Sequence, residues 1–185
     1  RVLQAVVVEL DGDEQVTFES FDSAKLDGLG REKVQEILVE SGQWPALRTR
    51  PFSKAPALDA EATAIFINAM DTNPLCGDPT VYINEHKQAF IDGLKVLSNL
   101  TEGKLFVVKA ADAEVDIGDT NAQLESFSGP HPAGLVGTHM HFLNPVSLKR
   151  PAWHIGYQDV IAYGKLFTTG EIFTERFVAL AGEGV

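Results

Sequence analysis

Apolar positions recur along this chain at two different spacings, and the alternation between them predicts its elements. Between Arg31 and Glu40, Val34, Ile37 and Leu38 fall on one helical face, and Gly42 follows as a stop, which predicts a helix over 31–40. A second helical stretch opens near Thr80, carries its apolar face through Phe90, Leu94 and Leu97, and is closed by Gly103. A third covers Gln158 to Leu166. Runs of β-forming residues separate them: Leu3–Leu10, Ala64–Met70, Leu105–Ala111, Leu124–Phe127, the short WHI at 153–155 and Phe173–Leu180. DGDE at 11–14 is turn chemistry, so Gln15–Glu19 is expected to return as the second strand of a hairpin. Asp112–Asn121 is polar and reads as a surface excursion. Alternating strand and helix patterns predict an α/β fold, a layered α/β/α domain with a mixed or largely parallel sheet.

Charge narrows the partners. Fifteen Lys and Arg stand against 26 Asp and Glu, a net charge of −11. That balance argues against nucleic acid, whose phosphates need clustered cations, and against adsorption to anionic lipid. No run approaches the roughly 18 apolar residues of a membrane span, so no transmembrane segment of its own is expected. A single cysteine, Cys76, excludes an internal disulfide and suits a reducing compartment such as the cytosol. The chain starts on Arg rather than Met and carries apolar runs close to both ends. We therefore expect residues 1–185 to be a single α/β domain excised from a longer protein.

Candidate chemistry concentrates in GPHPAGLVGTHMHFLN at 129–144, which holds His131, His139 and His141, with His154 shortly beyond. An H-x-H pair on a strand would aim both rings at one face and could share a metal. Here Leu135, Val136, His139, Met140, Phe142 and Leu143 fit helical spacing, which sets His139 and His141 roughly 200° apart. No carboxylate completes a ligand set in this stretch and HExxH is absent, so packing is preferred to a metal hydrolase built on His139, His141 and His154. Asp11, Asp13 and Glu14 lack the later ligands of a calcium loop and read as a solvated hairpin tip. P-loop, dinucleotide and nucleophile-elbow signatures are absent. WPALRTRPFSK at 44–54 gathers Arg48, Arg50 and Lys54 in an otherwise acidic chain, which suits an anion site or an acidic partner, against the plainer reading of a solvated loop.

Several long blocks carry a family resemblance. GPHPAGLVGTHMHFLNP, WHIGYQDVIAYGKLFTTGEIFTERFVALAG, LQAVVVELDGDEQVTFE, ILVESGQWPALRTRPFSK, IFINAMDTNPLCGDP and GLKVLSNLTEGKLFVV resemble, in order over nearly the whole chain, the A subunit of the bacterial Na⁺-translocating NADH:quinone oxidoreductases. A more distant likeness is to the FMN-binding subunit of respiratory complex I and to the C subunit of the Rnf complexes. The resemblance implies a peripheral subunit on the cytoplasmic side of the bacterial inner membrane, partnered by other subunits including a membrane subunit. It places FAD, FMN, iron–sulfur and riboflavin on those other subunits, with ubiquinone contact possible. In the complex I relative a glycine-rich loop cradles FMN where this chain has Trp44, Pro45, Leu47, Arg48 and Arg50. Flavin phosphate needs backbone N–H groups that only glycines bring close. The expectation is therefore an interaction domain with a degenerate FMN and NADH site and no catalytic residue. The loops at the former site supply Arg48, Arg50, Asn68 and Asp71 as the residues to watch, the alternative being a retained flavin, nucleotide or quinone pocket.

Overall fold

In a computed structural model, which describes residues 4–9, 11–12 and 14–182, the helix predicted over 31–40 forms with those bounds as α1 (Arg31–Glu40) and buries Val34, Ile37 and Leu38. The other helices are α2 (Pro79–Glu85), α3 (Lys87–Ser98), α4 (Val136–Leu143) and α5 (Tyr157–Thr169). The strands are β1 (Arg48–Arg50), β2 (Ala64–Ala69), β3 (Lys104–Ala110), β4 (Gln123–Phe127) and β5 (Ala152–Gly156). They build one five-stranded sheet in the order β1-β5-β2-β3-β4. β5, β2, β3 and β4 run parallel, and β1 lies antiparallel on β5 with Arg48 opposite His154 and Arg50 opposite Ala152. The sheet is thus mixed and mostly parallel, with helices on both faces.

The two faces are unequal. Ile65, Ile67, Leu105, Val107, Trp153 and Ile155 point into the main core, shared with α1, α2, α3 and α5. The alternate residues Ala64, Phe66, Phe106, Val108 and Ala152 point the other way and meet only Val136 and Met140 of α4 as buried helical partners. Period-two alternation along each strand assigns these faces without exception. Tyr163 on α5 is fully buried, and its hydroxyl donates to the Gln43 carbonyl at 2.9 Å, tying α5 to the segment that enters β1. Burial also holds the Tyr163 hydroxyl neutral by raising its pKa. Tyr163→Phe removes one of two donors to that carbonyl, the other being Ala46 N–H at 3.0 Å, and should lower unfolding free energy by about 1 kcal/mol in urea titrations.

Several predicted elements change. Residues 4–9 carry no strand, and Val6, Val7 and Val8 are 73%, 94% and 73% exposed; Leu3 and Leu10, the ends of that prediction, lie outside the described residues, as does Asp13 of the predicted turn. Gln15–Glu19 is not a strand either: Phe18 N–H donates to the Gly170 carbonyl at 2.7 Å, fastening this segment to the end of α5. The helix expected to run unbroken from Thr80 is two helices, because His86 leaves helical geometry at φ −111° and ψ 33°. Its cap is Asp78, whose carboxylate accepts from Thr80 N–H at 2.9 Å. Phe173–Leu180 is not a strand; after α5 the chain turns back along that helix. Conversely, β1 forms in what reads as a polar loop. Among the described residues no helix is long and apolar enough to cross a membrane.

Candidate functional site

Strand order locates the site to inspect. From β2 the chain steps to β3 and β4 in one direction, then returns to place β5 on the other side of β2. The carboxyl ends of β2 and β5 therefore form a topological switch point, where open α/β sheets take ligands. Two segments of this chain cover it. On the main-core face, Phe177 stacks on Tyr82 at 5.9 Å and lies so close to Gly77 that a Cβ there would strike its ring. The Gln158 side chain, in the first turn of α5, holds Phe177 in both directions: Nε2 donates to its carbonyl at 3.0 Å, and Oε1 accepts from its N–H at 2.9 Å. Arg176 pairs with Asp159 at 2.9 Å, and Tyr82 O–H donates to the Glu175 carbonyl at 3.2 Å. Burial raises the Asp159 carboxyl pKa, and Arg176 partly offsets that.

On the opposite face the histidine-rich loop closes over the end of β2. Asn68 Nδ2 donates to the Gly134 carbonyl at 3.1 Å, Gly134 N–H donates to Thr72 Oγ1 at 2.9 Å, and Thr72 Oγ1 meets His131 Nδ1 at 3.2 Å. Gly134 is required here, since a Cβ would sit 2.7 Å from the Thr72 nitrogen. Further along the carboxyl edge, between β2 and β3, a cavity of about 470 Å³ is lined by Asp71, Asp78, Asp112 and Glu114 among others. Its walls carry carboxylates where a phosphate ligand would want donors.

The four residues singled out from sequence separate into two places. Asn68 and Asp71 sit at the carboxyl end of β2: Asn68 braces Gly134, and exposed Asp71 accepts from Asn73 N–H at 2.8 Å. Arg48 and Arg50 sit on β1, beyond β5. They point to the α4 face, beside His154, whose register partner on β2 is Phe66. His154 is held neutral down to about pH 4, first by burial and then by the two guanidinium groups, Arg50 and Arg48. Its Nε2 and the Arg50 Nε are buried without a hydrogen-bond partner among the described residues.

The remaining histidines behave as α4 dictates. His139 is fully buried, packs on Phe127 at 4.7 Å and offers Nε2 to the Ala133 carbonyl at 2.8 Å, a contact that makes Nε2 the protonated nitrogen. Burial lowers its pKa, and the contact to Ala133 partly offsets this. His141, two residues on, is exposed against Phe142. The two rings do not share a face, and among the described residues no three His, Cys, Asp or Glu side chains are grouped to hold a metal. Sequence reasoning missed the covering role of residues 175–177. FTERF breaks an apolar run with Glu175 and Arg176, and that interruption is the one local hint against a buried strand.

An open, mostly parallel sheet with helices on both faces and a strand-order reversal at its centre defines a doubly wound α/β domain. The chain belongs to the NqrA second alpha/beta domain family, which matches residues 29–172. Among curated relatives it is 55% identical to the Na(+)-translocating NADH-quinone reductase A subunit of Glaesserella parasuis over 100% of this chain and 42% of that protein. It is 57% identical to the proteins of the same name in Vibrio parahaemolyticus and Vibrio vulnificus, over 98% of this chain and 41% of each. The chain thus spans well under half the length of these relatives.

Proposed function

We propose that this chain is one folded α/β domain of a longer A subunit, and that it serves a Na⁺-translocating NADH–quinone reductase as a structural and docking domain. Electron transfer is the work of the assembled complex, with flavins and iron–sulfur centres on other subunits. This domain contributes position rather than a reacting group, from the cytoplasmic side of the bacterial membrane. The family match and the whole-chain relatives support membership. The observation that carries the structural reading is Phe177, locked by Gln158 into the switch-point crevice where a dinucleotide or flavin would lie. Carboxylates around the neighbouring cavity point the same way. The residues present do not fit a flavin phosphate.

Two measurements on one preparation test this. An affinity tag on the complete polypeptide should recover NADH–quinone reductase activity from detergent-solubilised membranes. Titration of the isolated domain with FMN and NADH should give no saturable heat at millimolar ligand. A stoichiometric flavin absorbance band on the domain, or saturable binding abolished by Asn68→Ala, would overturn the structural reading in favour of a retained pocket around Arg48, Arg50, Asn68 and Asp71.

A further inference from the structure

Charge is distributed very unevenly over this fold. Residues 41–58 contain no Asp or Glu, and neither do residues 126–158; all 26 acidic residues lie elsewhere. These two stretches are distant in sequence, but pairing of β1 with β5 brings them together on the α4 face. They carry Arg48, Arg50, Lys54, Lys149 and Arg150, and none of these five enters a salt bridge among the described residues. A basic island thus stands on a chain of net charge −11 with its cations uncompensated. Within it, burial first and then Arg50 and Arg48 lower the basicity of His154.

Beside the island the surface is concave and apolar. A cavity of about 380 Å³ lies between the turn after β1 and α4, walled by Arg50, Phe52, Met140, His141, Pro145 and Val146. Phe52 is 71% exposed on its rim, and Phe142 and Leu148 are 70% and 76% exposed nearby in the chain. A large apolar side chain could fill that cavity with a carboxylate within reach of the arginines. The α4 face is also where the sheet has least cover, since one short helix packs on it.

We infer that this face docks an acidic polypeptide segment of another subunit, one that seats a bulky apolar side chain between Phe52 and α4 and sets carboxylates against Arg48 and Arg50. The inference rests on the proposed membership in a multisubunit reductase and names the surface and the chemistry of its partner there. A second copy of this chain is a poor occupant, because two bodies of charge −11 repel. A phospholipid surface is disfavoured for the same reason, and because Arg50 is half-buried beside a cavity instead of projecting. Steering by complementary charge accelerates encounter between separate molecules, a benefit that a covalently tethered domain does not need. The arrangement therefore fits another subunit better than the remainder of the same polypeptide.

The test places a photo-crosslinking amino acid at Phe52 in the complete polypeptide, in the membranes of its host, with a control at exposed Val39 on α1. Adducts from position 52 should map to one segment of a different subunit, rich in Asp or Glu around a large apolar residue. The exposed double variant Arg48→Glu and Lys149→Glu should cut that yield by about tenfold, with the circular dichroism and melting of the domain unchanged. Adducts from position 52 to phospholipid, to a second copy or to the same polypeptide would overturn the inference, and so would a yield indifferent to the charge reversal. Adducts to other subunits from position 39 but not 52 would leave the proposed function standing and remove this surface. Recovery of no reductase at all would instead remove the proposed function.

Discussion

Gly164→Ala should be the most damaging single methyl that can be added to this protein. α3 and α5 meet through Gly93 and Gly164. A Cβ on Gly164 would strike the carbonyl oxygen of Ala89 and lie 2.9 Å from the Gly93 nitrogen, and a Cβ on Gly93 would strike the Val160 carbonyl. Each obstacle is backbone inside a helix, so relief requires the two helices to separate. Helix propensity alone would favour alanine by about 1 kcal/mol, yet overpacking at a buried contact costs more. We expect a net loss of about 3 kcal/mol by urea unfolding. Gly137→Ala in α4 is the matched control, since a Cβ there meets nothing within 4 Å. Its backbone has no need of glycine, so the same change should raise stability by up to about 1 kcal/mol. If both variants shifted in the same direction, the close approach of α3 and α5 would be wrong.

Mild acid should destabilise the domain before most carboxylates protonate, and His154 should be the largest single cause. In the unfolded chain it titrates near its ordinary 6.5, and in the fold at about 4. Above 6.5 both states are neutral and nothing is lost. As pH falls from 6.5 towards 4 the unfolded chain binds a proton that the folded chain does not, so stability declines, and below 4 the loss is constant. At about 1.4 kcal/mol per pH unit the displacement corresponds to at most roughly 3.5 kcal/mol, and solvent at the partly exposed ring reduces this to about 2. His139, also depressed by burial, adds in the same direction. Stability curves of the wild type and His154→Phe should diverge between about pH 7 and 4, with the variant flatter by about that amount. Superimposable slopes would mean the ring is not buried beside Arg48 and Arg50.

Particular elements show how far the sequence could be read. α1 is legible to the residue because its stripe of Val34, Ile37 and Leu38 and its stop at Gly42 are local signals. β2, β3 and β4 are legible because each is a local run of β-forming residues. The runs around Val6–Val8 and Phe173–Leu180 look equally strand-like, yet neither forms a strand among the described residues. A strand exists only where a sheet edge is available, and β1 takes one of the two edges with Arg48, Thr49 and Arg50, of which only Thr49 is a strand former. The break between α2 and α3 escaped for a related reason. His86 packs on Tyr82 and Phe173, which come from the preceding helix and from far along the chain.

The candidate site divides in the same way. Separation of His139 from His141 follows from helical spacing, and α4 delivers one ring buried and one exposed. Asn68 and Asp71 share the carboxyl end of β2, whereas Arg48 and Arg50, expected beside them, stand apart on β1. The two acid-free stretches were visible as composition, although their juxtaposition was not. By itself the sequence determined the helical faces, the parallel strand segments, the acidic balance and the family. Tertiary structure alone decided which apolar runs became strands, that Phe177 is held by Gln158 at the switch point, and that basic residues far apart in the chain share one face. The physical reason is range: periodicity and capping act within a few residues, whereas strand pairing and crevice filling depend on partners that folding alone brings into contact.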